Sequence, residues 1–129
     1  MTTPPDLQQQ AINFRRIMEQ PVGTFSPTTL KTQTSLIVEE FKEFLEAESK
    51  ASKYVGNLRA REDALKELAD LVYVCFQYSA AAGWKLDEAL DRVNRSNLSK
   101  LVDGKPLKRE DGKVLKGPNY LAPTLSDLI

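Results

Sequence analysis

Leu36-Ile37-Val38-Glu39-Glu40-Phe41-Lys42-Glu43-Phe44-Leu45-Glu46 is the stretch on which the reading of this chain turns. At about 100° per residue, Leu36, Ile37, Phe41, Phe44 and Leu45 share one broad apolar face of a helix, with Glu39, Lys42 and Glu46 on the other side. Glu40 breaks the pattern. It falls inside the apolar face, between Leu36 and Phe44, and Glu43 lies at the edge of that face one turn on. Further along, Leu65, Leu68, Leu71, Val72, Val74, Cys75 and Phe76 make a helix that is apolar nearly all round and is expected to be buried on most sides. Glu67 and Asp70 nevertheless stand in it, three residues apart. An ionised carboxylate in an apolar interior is costly unless it is paired or metal-bound. Spacing of i and i+3 puts each pair of acids on one helix face, so two facing helices present a cradle of four carboxylates. The neighbouring cations, Lys42 and Lys66, read as pointing to the polar sides. A hard divalent cation, Mg²⁺ or Mn²⁺, is then the expected partner. The rival reading makes these acids plain surface charge on a non-enzymatic helical interaction module.

Working outward, punctuation residues divide the chain into four helices and a tail. Thr3-Pro4-Pro5-Asp6 reads as a helix start, with Thr3 as cap, Pro4 at the first helical position and Asp6 as the capping-box acid; this helix should run to about Gln20. Ser26-Pro27 opens the second helix, expected to reach about Tyr54 before Gly56-Asn57. The third should span Ala60 to Ala82 and stop at Gly83. The fourth begins near Leu86 or Asp87, carries Leu86, Ala89, Leu90, Val93 and Leu98 on one face, and fades near Leu101. The tail, about 103–129, holds Asp103-Gly104 and Asp111-Gly112, the second of which closes a weak hairpin between Leu107 and Leu115. The expectation is one all-α domain over 1–129, four-helix-bundle-like, with a loop-rich C-terminal tail.

The composition removes several function classes. Lys+Arg and Asp+Glu are 18 each, so bulk charge gives no pull toward nucleic acid or an anionic membrane. No apolar run is long enough to cross a bilayer. The chain has no histidine, which excludes His-based triads and also a di-iron carboxylate bundle, whose motif is Glu-x-x-His. The single cysteine, Cys75, sits in an apolar run and reads as a small core residue; a reducing, cytoplasmic setting fits.

Glu39-Glu40-Phe41-Lys42-Glu43, followed after a gap by Glu67-Leu68-Ala69-Asp70, resembles the Glu-Glu-x-x-Glu…Glu-x-x-Asp signature of the MazG-like all-α NTP pyrophosphohydrolase superfamily. Gly83 to Leu90, Asn94 to Lys100 and Asp111 to Tyr120 are similar to the same group, its phage and bacterial members included. The resemblance implies a hydrolase that cleaves a nucleoside triphosphate to the monophosphate and pyrophosphate. It implies Mg²⁺ or Mn²⁺, two or more ions per site, held by Glu40, Glu43, Glu67 and Asp70, with Glu39 orienting or deprotonating the attacking water. Homodimeric or homotetrameric assembly is expected, since the apolar helices offer more surface than one thin bundle hides. On resemblance alone the substrate leans to dGTP or GTP, with dUTP and dCTP as alternatives. Relatives often carry Phe-His where this chain has Phe14-Arg15, a departure in a region where base specificity could lie.

Asn94 and Asn97, three apart on the fourth helix, are candidates for hydrogen bonds to ribose or phosphate. Lys100, Lys116 and, more weakly, Lys31 are candidates for phosphate neutralisation. Phe14, Met18, Trp84 and Tyr120 are candidates for stacking on a base, against ordinary core packing for each.

Overall fold

A computed structural model describes residues 6–129. Four helices, α1 (Leu7–Ile17), α2 (Pro27–Lys53), α3 (Leu58–Ala82) and α4 (Leu86–Leu98), precede two short strands, β1 (Leu107–Lys108) and β2 (Val114–Leu115), and a terminal 3₁₀ turn, Ser126–Leu128. The fold is all-α, as expected. None of the described helices is long and apolar enough to cross a membrane. The chain forms two compact units, which divide between Trp84 and Lys85.

The first unit contains α1, α2 and α3. Thr3 and Pro4 lie outside the described residues. Asp6 is itself the N-cap, its side chain accepting from the Gln9 N–H at 3.0 Å, rather than the capping-box acid expected. Helix α1 ends at Ile17, a turn before Gln20, because Glu19 takes a left-handed conformation at φ 56°. Ser26 and Pro27 open α2 as the sequence indicates. Asn57 caps α3 by accepting from the Ala60 N–H at 3.1 Å, which moves its start two residues ahead of Ala60. Gly83 closes it at φ 79°, and its Cα faces the Gly23 backbone so closely that a Cβ would lie 3.1 Å from the Gly23 Cα.

Helices α2 and α3 are joined by the short segment 54–57 and pack on one another as an αα-hairpin, with α1 against α3. At the end away from that turn, which residues 23 and 24 close, the Gly23 and Thr24 N–H groups donate to the Ala80 and Ala81 carbonyls, each at 2.9 Å, and Leu30 packs on Ala81 and Ala82 with Tyr78 and Trp84 around them. Burial is concentrated there: Phe76, Ala80, Ala81 and Ala82 are buried. The expectation that α3 is buried on most sides fails from Leu65 to Tyr73, where Leu65 is 67% exposed and Leu68, Val72 and Tyr73 over 40%. Within the first unit, α1 and α2 leave part of this mostly apolar helix uncovered. Phe41 and Leu45 on α2 are about half exposed too, although their face was expected in the core. Cys75 is half-buried, and burial pushes its thiol up from the ordinary value.

The second unit contains α4 and the tail. Helix α4 ends at Leu98, one turn before Leu101. The tail is tied to it by side chains. Arg92 holds Asp127 through two hydrogen bonds of 2.6 and 2.8 Å, lowering the Asp127 carboxyl to about 2. The buried Ser96 hydroxyl donates to the Leu121 carbonyl at 2.7 Å. Strands β1 and β2 pair antiparallel, Leu107 opposite Leu115, around the Asp111-Gly112 turn with Gly112 at φ 88°. Gly117 is buried against Lys100, whose carbonyl accepts its N–H at 3.0 Å; a Cβ there would meet that oxygen at 2.7 Å.

Candidate metal centre

Helices α2 and α3 bring Glu40, Glu67 and Asp70 together: one carboxylate oxygen from each lies within 4.8 Å of the others. The Oε2 atoms of Glu40 and Glu67 are sealed from solvent and have no hydrogen-bond partner. Glu43 belongs to the same group. The charge of Glu40 raises its carboxyl above the ordinary value of 4.5, helped by partial burial, by a hydrogen bond to Glu40 and by the charge of Glu67. Four acids from two helices therefore crowd one site, and two of their oxygens are buried without any donor. The donor set is all oxygen, and a hard divalent cation suits it. Lys66 does not point away as expected. Its Nζ lies 2.7 Å from Asp70 and 3.5 Å from Glu67, and Asp70 raises its pKa. The i,i+4 step from Lys66 to Asp70 gives it that reach. An ion pair with a lysine two-thirds exposed contributes at most about 1 kcal/mol, and Lys66 does not touch the sealed oxygen of Glu40.

Beside the acids opens a cavity of about 440 Å³, lined by Glu43, Glu46, Lys50, Arg59, Asp63 and Glu67 among others. It continues the carboxylate site toward the 54–57 turn. Arg59 is paired with Asp63 at 3.1 Å and Lys50 lines the same wall, so the acids here are partly balanced.

The other expected site residues distribute as follows. Glu39 is exposed on α2, outside the group of three whose oxygens converge. Lys31 is exposed in the first turns of α2. In the second unit, Asn94 and Asn97 are exposed on α4. Lys116 places its Nζ 4.8 Å from the centre of the Tyr120 ring, and the Lys100–Gly117 hydrogen bond brings both next to Lys100. Among the stacking candidates, Phe14 meets Tyr73 edge-on at 5.5 Å, and Trp84 lies between Phe25 at 5.6 Å and Tyr78 at 5.4 Å. Met18 is half exposed.

Three polar residues not expected in the interior are there. Arg15 is 2% exposed, Gln33 5% and Gln77 4%. Arg15 donates from Nε to the Pro21 carbonyl at 2.7 Å and from a terminal nitrogen to the Gln77 Oε1 at 3.4 Å; burial lowers its pKa. The signal in the sequence was spacing: Gln33 stands seven residues before Glu40 and Gln77 seven after Asp70, each on the stripe of its acid.

Residues 9–97 match the family model described as phosphoribosyl-ATP pyrophosphohydrolase. A comparison with curated proteins finds no match.

Proposed function

We propose the following for this chain, which belongs to the phosphoribosyl-ATP pyrophosphohydrolase family of the MazG-like all-α NTP pyrophosphohydrolase superfamily: it hydrolyses a nucleoside or deoxynucleoside triphosphate between the α and β phosphates, releasing monophosphate and pyrophosphate. The family is one of nucleotide pyrophosphohydrolases, and the carboxylate cluster fits the divalent metal that such chemistry uses. The observation that carries the reading is that Glu40 and Glu67, which with Asp70 each bring a carboxylate oxygen within 4.8 Å of the others, also each keep one oxygen sealed and without a partner.

Glu40, Glu43, Glu67 and Asp70 would hold Mg²⁺ or Mn²⁺, two or more ions with substrate. Bound there, the metal supplies charge to offset that developing on the phosphates and lowers the pKa of a water. The protein's own part is positional. The hairpin fixes the acids across the α2–α3 seam, and the adjoining cavity gives the polyphosphate room next to Lys50 and Arg59. Glu39, exposed and free of the crowded group, orients or deprotonates the attacking water. Asn94, Asn97, Lys100 and Lys116, with Lys31 and Tyr120, bind ribose and phosphates. The lean to dGTP or GTP rests on resemblance to phage and bacterial relatives.

The exposed apolar stretch of α3 from Leu65 to Tyr73, with Phe41 and Leu45, is the surface on which a homodimer or homotetramer would form. The protein acts in the cytoplasm on a free nucleotide, without nucleic acid or membrane.

The test is a panel of the eight common NTPs and dNTPs with Mg²⁺ or Mn²⁺, products separated by chromatography. Monophosphate plus pyrophosphate is expected, with guanine nucleotides preferred. Preference for dUTP or dCTP would move the substrate and keep the reaction. Orthophosphate without pyrophosphate would reject the reaction, and no product from any substrate would favour the interaction module.

A further inference from the structure

The α2–α3 seam carries a second polar level beyond the acids. Glu40 meets Glu67 and Asp70, and nearer the closed end Leu30 meets Ala81 and Ala82. These contacts fix the antiparallel register. Gln33 and Gln77 fall between them, seven residues toward the closed end from Glu40 and from Asp70 respectively, so they stand at one level of the seam. Seven residues is about two turns, roughly 10 Å along either helix. That is the reach of a nucleotide from its phosphates to the far edge of its base.

Both glutamines are more than nine-tenths buried, and each keeps one polar atom sealed and without a partner: Oε1 of Gln33 and Nε2 of Gln77. The Gln77 orientation is set by chemistry. A guanidinium can only donate, so Oε1 turns to Arg15 and Nε2 turns away with two unused donors. The two partnerless atoms, an acceptor and a donor, are complementary but do not bond each other. Arg15 itself is 2% exposed, meets no carboxylate among the described residues, and spends only two of its five N–H groups. The two sealed amide atoms cost about 1–3 kcal/mol each when left in this state, so together they call for a ligand that offers an acceptor to one and a donor to the other.

We propose that Gln33 and Gln77, with Arg15 behind Gln77, read the lactam edge of the substrate base, a ring carbonyl beside a ring N–H. The carbonyl takes the Gln77 amide and the free guanidinium donors, and the ring N–H donates to Gln33 Oε1. Guanine and uracil carry this edge; adenine and cytosine present an amino donor and a bare ring nitrogen in its place. The inference rests on the hydrolase reading for its substrate, and it gives the guanine preference a physical basis. Because both orphan atoms are sealed, the base reaches them by parting side chains along the seam.

The test is calorimetric binding of α,β-methylene analogues of the guanine, uracil, adenine and cytosine deoxynucleoside triphosphates in Mn²⁺. It reads base discrimination without turnover, so it separates this inference from the reaction assignment. Wild type should bind the guanine or uracil analogue, or both, at least about 10-fold tighter than the other two. Gln77→Met and Gln33→Met should erase that margin while leaving the affinity for the adenine analogue within a factor of a few. Gln33→Glu keeps the acceptor and should keep the margin; Gln77→Glu replaces the donor and should lose it. That pair decides the matter if the methionine variants fold poorly by circular dichroism. Equal affinity for all four bases in the wild type, a preference for adenine or cytosine, or a margin unchanged in Gln77→Glu would overturn the proposal.

Discussion

Two levels of the α2–α3 hairpin, its closed end and its middle, are built from the same periodicity and come out opposite. At the closed end small residues, Ala81 and Ala82, let Leu30 come in close, and backbone hydrogen bonds from Gly23 and Thr24 fasten the segment before α2 to α3. Midway along the hairpin the positions facing across the seam are Glu40, Glu67 and Asp70, which repel one another. The closed end thus has a reason to stay together in the bare chain; the acid level acquires one when a cation binds. A fold can hold a charged site in this way if its stability is placed elsewhere along the same helices.

The largest expected effect separates the two levels by function. Asp70→Asn and Glu43→Gln each remove one charge from the cradle at nearly constant shape, and pyrophosphate release should fall by about 10²–10³-fold or more at saturating Mg²⁺. The helical circular dichroism should be unchanged. Full turnover in either variant would remove that residue from the site.

Next in size is the converse change. Leu30→Ala opens the packed end, where Leu30 is 5% exposed, and should destabilise the chain by about 3 kcal/mol in urea unfolding. A loss under about 1 kcal/mol would mean the closed end is not what holds the hairpin.

The smallest effect sharpens the repulsion. The folded-state carboxyl of Glu43 sits above its ordinary 4.5, so the native chain binds the proton more tightly than the unfolded chain. Apo stability should therefore fall as pH rises through 4.5 and go on falling until the raised value is passed. The melting temperature of metal-free wild type should drop across that window, and that of Glu43→Gln should drop less. Parallel curves for the two proteins would show that Glu43 is not under the strain of its neighbours.

Much of this was legible before any coordinates. Glu40 on an apolar face, Glu67 and Asp70 in an apolar helix, the Gly83 stop and the Asp111-Gly112 turn all follow from local spacing, and the structure has each of them. What spacing does not carry is the partner of each face. Arg15 stands out in the sequence only as a departure from the Phe-His of relatives, and it takes the packing of α1 on α3 to bury it against Gln77. Lys66 reads as solvent-facing, yet its flexible stem reaches Asp70 one turn on. The exposure of Leu65 and Leu68 was hidden for a related reason: an apolar helix shows in the sequence how much it needs to bury, not how much one chain provides.

The central claim is that the acids of α2 and α3 form a divalent-cation site, and calorimetric titration of Mn²⁺ into the nucleotide-free protein tests it most directly. The wild type should take up at least one ion per chain and melt at a higher temperature with it, because an ion held by the native state alone stabilises that state. Glu40→Gln combined with Glu67→Gln should abolish both the uptake and the rise. Equal Mn²⁺ uptake by wild type and double variant, or none by the wild type, would contradict the account.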